Sequence, residues 1–151
     1  MHFNGVTHET AADDYHAVKI AFQWLSFVPK TAKCNYQHLE IKGENTEISA
    51  PKYIPESQNF DSQELLNGFF DENSICQTFT GWAKGILTGK AKLNGLPVAF
   101  ITAQNSPTEL IIPSDPADIK SEEQKLQVPA KVLFPDSSFK IAQVMQHFTL
   151  K

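Results

Sequence analysis

The sequence predicts an α/β protein. Three observations carry this: apolar residues at helical spacing from Asp13 to Val28, a strand–turn–strand pattern folded about Asn94-Gly95, and a second helical stripe after Asp136. Apolar residues make up 41% of the 151 positions and charged residues 20%, the balance of a globular chain with one modest core rather than of a disordered one.

The elements follow in order. In DDYHAVKIAFQWLSFV, Asp13 or Asp14 can cap a helix and complement its positive end. Val18, Ala21, Phe22, Leu25 and Val28 form one apolar stripe, and Ile20, Trp24 and Phe27 a second. The helix is therefore expected to be buried on more than one side, and Pro29 stops it. From Lys30 to Glu64 the chain is rich in Asn, Gln and Ser, with Pro51 and Pro55, and reads as a linker or surface excursion with a short strand around Leu39 to Ile41. A second structured part is expected from Leu65, with a helix capped by Asn73 or Ser74, running to about Lys84 and ended by Gly85.

Asn94-Gly95 is a strong two-residue turn signal. Pairing around it sets Leu93 opposite Leu96, Ala91 opposite Val98 and Gly89 opposite Phe100, six residues on one packed face. Thr88, Lys90 and Lys92 are expected on the outer face. Thr108 to Ile112 reads as a further strand, Pro113 to Pro129 as a surface loop, and Val132 to Phe134 as a short strand. Asp136 or Ser137 then caps a last helix whose stripe is Phe139, Ala142, Met145 and Phe148, supported by Ile141 and Val144.

Several functions are excluded or left without support. A net charge of -4 gives no footprint for nucleic acid. All 13 basic residues are Lys, so the bidentate anion clamps that Arg provides are absent, and an anion site must use Lys, backbone N–H groups or another chain. No apolar run reaches the roughly 18–20 residues of a membrane span, and the first residues lack the pattern of a secretory signal. Cys34 and Cys76, without a CxxC spacing, read as reduced and intracellular, though a disulfide between them stays open. Gly85-Ile-Leu-Thr-Gly89-Lys90 resembles a phosphate loop at first sight, but its spacing is one residue short and Ala91 stands where Ser or Thr is needed. His2, His8, His16, His38 and His147 form no metal-ligand spacing, so no metal is expected. Asp13-Asp14 reads as a helix start rather than a catalytic pair, and Asp71-Glu72, Asp115, Asp118 and Glu122-Glu123 as turn and surface acids. The residues alone thus give an α/β chain without a self-contained catalytic constellation.

Three collinear stretches nevertheless resemble one family. They are NGVTHETAADDYHAVKIAFQWLSFVPK (Asn4 to Lys30), GFFDENSICQTFTGWAKGILTGKAKLNGLPVAFITAQ (Gly68 to Gln104) and IIPSDPADIKSEEQKLQVPAKVLFPDSSFKIAQVMQHF (Ile111 to Phe148). Each is similar to a segment of the carboxyltransferase region of multidomain, eukaryotic-type acetyl-CoA carboxylases. The SDPAD and FPDSSFKIAQ segments resemble these more than the related propionyl-CoA carboxylase β-type chains.

The resemblance implies a crotonase-like fold, with residues 1–30 closing the family's N-subdomain, 31–64 a variable excursion and 65–151 opening its C-subdomain. It implies transfer of a carboxyl group from biotin, held on a carrier domain outside this chain, to acetyl-CoA, giving malonyl-CoA for fatty acid biosynthesis. Implied partners are these thioesters and the rest of the carboxylase or a second carboxyltransferase chain, in a homo-oligomer; cytoplasm is the expected compartment, with mitochondrion or plastid open. The family's essential arginines and glycine-rich oxyanion segments align outside Asn4 to Lys151, so no catalytic residue is assigned and the chain alone is expected to be inactive. Lys90 and Lys92 stand where the family has arginines, and Asn94 replaces a glycine. Leu133 replaces a tryptophan of the family's substrate groove, which makes Leu133 and Phe134 the groove candidates, with core strand residues as the competing reading. A non-catalytic homologue serving as an assembly or scaffold subunit is the alternative function; a complete small hydratase or decarboxylase ranks below both because the chain is short for that fold's spiral.

Overall fold

The computed structural model describes residues 2–28, 53–55 and 60–149. Pro29, Cys34 and the strand expected around Leu39 to Ile41 lie outside the described residues.

The centre is an antiparallel sheet of β1 (Cys76–Thr78), β2 (Ile86–Leu93) and β3 (Leu96–Ala103), in that order. The β2–β3 register sets Leu93 against Leu96, Ala91 against Val98 and Gly89 against Phe100, as the Asn94-Gly95 turn predicts. Asn94 (φ 52°) and Gly95 (φ 79°) both take the left-handed conformation that such a turn needs. Asp71 holds the turn, accepting from the N–H groups of Asn94 at 2.9 Å and Gly95 at 2.7 Å.

The face carrying Gly89, Ala91 and Phe100 packs against α2 (Ser62–Phe69) through Leu66, with Phe70, Ile75, Leu87 and Val98 around them. The second structured part thus opens with a helix that the sequence did not announce, beginning at Ser62 under an Asp61 cap rather than near Leu65. The helix expected from Asn73 or Ser74 to Lys84 is absent: β1 and a turn occupy that stretch. Ser74 has the residue type of a helix cap, but its hydroxyl donates to the Asp71 carbonyl and accepts from the Lys92 N–H, fastening β2 to the α2–β1 connection. The alternation Cys76-Gln77-Thr78, pairing with Lys90, Gly89 and Thr88, overrides the cap signal.

The second sheet face is also covered, which corrects the outward placement of Thr88, Lys90 and Lys92. Thr88 is buried, and its hydroxyl donates to the Thr78 carbonyl at 3.0 Å. Lys90 and Lys92 run beneath aromatic rings, their ammoniums 4.4 Å from the Trp24 centroid and 5.6 Å from that of Phe27. Trp24 belongs to α1 (Asp14–Leu25), capped by Asp13, whose carboxylate accepts from the His16 N–H at 2.7 Å. Of the two apolar stripes on α1, that of Ile20, Trp24 and Phe27 faces the protein, while Val18, Phe22, Leu25 and Val28 are exposed. Two-sided burial of this helix is therefore not found among the described residues.

The remaining chain forms a two-stranded sheet of β4 (Thr108–Ile112) and β5 (Gln124–Val128), and then α3 (Pro135–Thr149). β5 lies inside the expected Pro113–Pro129 loop; its side chains are mostly exposed, so no apolar alternation announced it. Val132 to Phe134 is not a strand, and Lys131 beside it has φ 63°.

A Cβ placed on Gly89 would run into the Cys76 carbonyl and the Phe100 ring. Gly89→Ala is expected to cost about 1–3 kcal/mol, read as a lower urea midpoint. An unchanged midpoint would show that β1 can move away from β2 without loss.

Candidate functional site

Pro135 opens α3 with a φ suited to a first helical turn, and the Phe134 carbonyl receives the Ser138 N–H at 2.9 Å. Asp136 accepts from the Ser137 N–H at 2.7 Å, so it sits inside the first turn. The covered side of α3 is Ser137, Lys140, Ile141 and Val144; of the stripe read from the sequence, Phe139, Ala142 and Met145 are exposed and Phe148 is half-buried, while its supporting residues Ile141 and Val144 are the covered ones.

Lys140 is therefore a cation on a buried helix face, 1% exposed. Its Nζ donates to the carbonyls of Ile86 (2.7 Å), Trp82 (2.9 Å), Phe79 (3.0 Å) and, longer, Ala83 (3.4 Å). The ammonium thus ties α3 to the turn that joins β1 to β2. That turn contains two non-glycine residues in the left-handed region, Phe79 (φ 57°) and Ala83 (φ 45°), a conformation that needs outside support. Burial lowers the Lys140 pKa from 10.5 to about 8, against the opposing pull of the Asp136 carboxylate.

The fixed turn is one wall of a cleft of about 560 Å³; the β4–β5 hairpin and the start of α3 complete it. Its lining is largely apolar, with Trp82, Leu110, Leu126, Val128 and Phe134 prominent, and its charged members are Lys84, Glu109 and Asp136. Among the described residues no histidine or cysteine lines it. Such a cleft can hold an apolar or extended group and orient it; it does not supply a nucleophile–base pair of the His or Cys type.

Phe134 lies in this cleft, half-buried, whereas Leu133 is 61% exposed and outside the lining. The two candidates are thus separated, and neither is a core strand residue. Lys140 was missed by the sequence reading. Its signal was present: Ser137, Lys140, Ile141, Val144 and Phe148 fall on one helical stripe, and a lysine within such a stripe needs carbonyl partners.

A smaller cavity of about 280 Å³ lies over the other sheet face, among His8, Trp24, Lys90 and His147. The His8 ring stacks on Phe79 with centroids 4.3 Å apart, and His16 serves the α1 start by accepting from the Ala12 N–H. Beside this cavity Cys76 is a free, buried thiol; burial, then the Glu9 carboxylate 3.7 Å from its sulfur, pushes its pKa up to about 12, so it is held as an unreactive thiol. Among the described residues no group of three or more His, Cys, Asp or Glu is placed to hold a metal ion, and no helix is long and apolar enough to cross a membrane.

Over residues 1–150 the chain matches the Carboxyl transferase domain family. It is 33% identical to the mitochondrial acetyl-CoA carboxylases of Saccharomyces cerevisiae strains RM11-1a and JAY291, across 98% of this chain and 7% of theirs. It thus spans a small part of the length of those relatives. Among solved structures it is similar to a single-chain, multi-domain long-chain acyl-CoA carboxylase, 22% identical with a TM-score of 0.50, over 68% of this chain and 10% of that one. It is also similar to the transcarboxylase 12S with hydrolysed methylmalonyl-coenzyme A bound, 24% identical with a TM-score of 0.50, over 66% of this chain and 20% of that one. These likenesses show the crotonase-like α/β fold that the resemblance implied.

The separation of the two candidates is testable. Phe134→Ala is expected to lower stability by about 1–2 kcal/mol. Leu133→Ala should stay within about 0.5 kcal/mol. Equal losses in thermal unfolding would contradict the placement of Leu133 outside the packed wall.

Proposed function

The chain belongs to the carboxyl transferase domain family, and on that premise we propose that it works in the carboxyl-transfer step of an acetyl-CoA carboxylase, from carboxybiotin to acetyl-CoA, giving malonyl-CoA for fatty acid synthesis. The observation that carries this is the 33% identity to acetyl-CoA carboxylases along 98% of the chain, which no single motif could produce. Residues 1–30 would close one subdomain and 65–151 open the next, with 31–64 between them.

Within that reading, the apolar cleft suits the acyl and neighbouring uncharged parts of a thioester. Carboxybiotin does not fit it: the group is anionic, and the cleft's charged side chains are two carboxylates against one ammonium, Lys84. Biotin is therefore assigned to another part of the assembly. The proposed partners are the remainder of the carboxylase or a second carboxyltransferase chain, in a homo-oligomer. The compartment is intracellular; the cytoplasm was expected from the sequence, and the yeast relatives, named as mitochondrial, favour the mitochondrion.

One set of observations favours the scaffold alternative. The sequence has no arginine, and among the described residues no histidine or cysteine lines the cleft. A chimera separates the two readings: residues 2–149 replace the matching segment of a yeast acetyl-CoA carboxylase, and malonyl-CoA-dependent carboxylation of free biotin is measured. The catalytic reading expects turnover from the chimera and none from the isolated chain. A folded, assembled chimera without turnover would favour the scaffold.

A further inference from the structure

We propose that Lys140 is the positioning residue of the cleft: its protonated amine clamps the Phe79–Ile86 turn in the shape that forms the cleft wall, and loss of the proton releases that wall while the fold persists.

The geometry supplies the argument. An ammonium has three N–H donors, and four carbonyls converge on it, so every donor is engaged and the Ala83 carbonyl shares one. A neutral amine keeps two donors, and at least one carbonyl then loses its bond. The turn has left-handed residues at Phe79 and Ala83 and contributes Gly81, Trp82, Ala83, Lys84 and Gly85 to the cleft. A change in its backbone is a change in the cleft.

The groups around Lys140 set its sensitivity. On α3 the facing charge is Asp136, which favours the protonated form. The turn brings Lys84, which shares a small cavity with Lys140, and β2 offers the uncharged Ile86 and Thr88 there. From the N-terminal segment, His2 lies against Gly81 and His8 against Phe79. The burial that isolates the amine brings its pKa from 10.5 to about 8. Because the folded value is the lower one, the unfolded chain holds this proton between about pH 8 and 10.5 when the folded chain has released it. Over that window this group makes global stability rise with pH. Release of the wall is thus distinguishable from unfolding.

Trp82 reports the wall directly, since its own carbonyl is clamped and its ring meets Phe79 and Phe139 edge-on, at centroid distances of 6.0 and 6.1 Å. In a Trp24→Phe background, Trp82 emission is titrated from pH 6.5 to 10, with thermal unfolding followed in parallel. The expected result is one emission transition with a midpoint near 8 and no fall in melting temperature due to it. Asp136→Asn should move the midpoint to lower pH, and Lys140→Arg, charged throughout, should abolish it. A flat titration in the Trp24→Phe protein overturns the proposal whether or not the Lys140 variants fold. So does a transition that survives in folded Lys140→Arg, or one that coincides with loss of the fold. The readout is independent of carboxyl transfer, so the clamp can fail while the proposed activity stands, and the reverse.

Discussion

The ammonium of Lys140, closed in by four backbone carbonyls, is the contact on which the arrangement of the other parts rests. A buried amine is costly unless its donors are all engaged. Here the acceptors come from one turn, in which the Phe79 and Ala83 carbonyls also accept from the Trp82 and Ile86 N–H groups at 3.2 and 3.1 Å. The lysine therefore needs the turn, and it adds a tether to α3 on top of the turn's own backbone bonds. The consequence is mechanical: α3 is fixed against the end of β2 where the central sheet meets the cleft.

The central sheet allows this by having both faces covered. On one side, Gly89 lets the β1 backbone and the Phe100 ring approach closely, and Ala91 and Leu66 complete the packing with α2. On the other, the lysine stems of β2 lie beneath Trp24, Phe27 and Phe148, so charged residues serve as cover for an inner surface. α1 is held there partly by polar tethers: Gln23 donates to the Ile75 carbonyl at 2.9 Å and the Trp24 indole to Glu9 at 2.8 Å. These contacts select one of its two apolar stripes, and the choice has no counterpart in periodicity.

This is why the sequence was readable in some places and not in others. The β2–β3 register was fully legible, because Asn94-Gly95 dictates turn geometry locally and side-chain alternation does the rest. The start of α1 at Asp13 was legible for the same local reason, whereas α3 begins at Pro135, ahead of the expected cap at Asp136 or Ser137, because Asp136 spends its carboxylate on the neighbouring Ser137 N–H inside the first turn. The direction in which α1 and α3 face was not, since each carries enough apolar residues for two faces and only tertiary contacts decide between them. The misread helix after Ser74 shows the opposite failure: a cap residue was present, but long-range pairing to β2 used its hydroxyl. At the site, Phe134 was reached through family resemblance, whereas Lys140 required attention to a charge lying in a buried stripe.

The clamp also bears on how a site without a side-chain triad can contribute to catalysis. An enolate or a carbonyl that gains negative charge is stabilised by preorganised N–H dipoles, which need backbone held still rather than reactive side chains. In a planar trans peptide the N–H points opposite to the carbonyl. The Trp82 and Ala83 carbonyls, turned onto the Lys140 ammonium, therefore direct the N–H groups of Ala83 and Lys84 away from it. Ala83 and Lys84 are both cleft residues. Fixing these carbonyls thus fixes the orientation of the backbone N–H groups at two cleft residues.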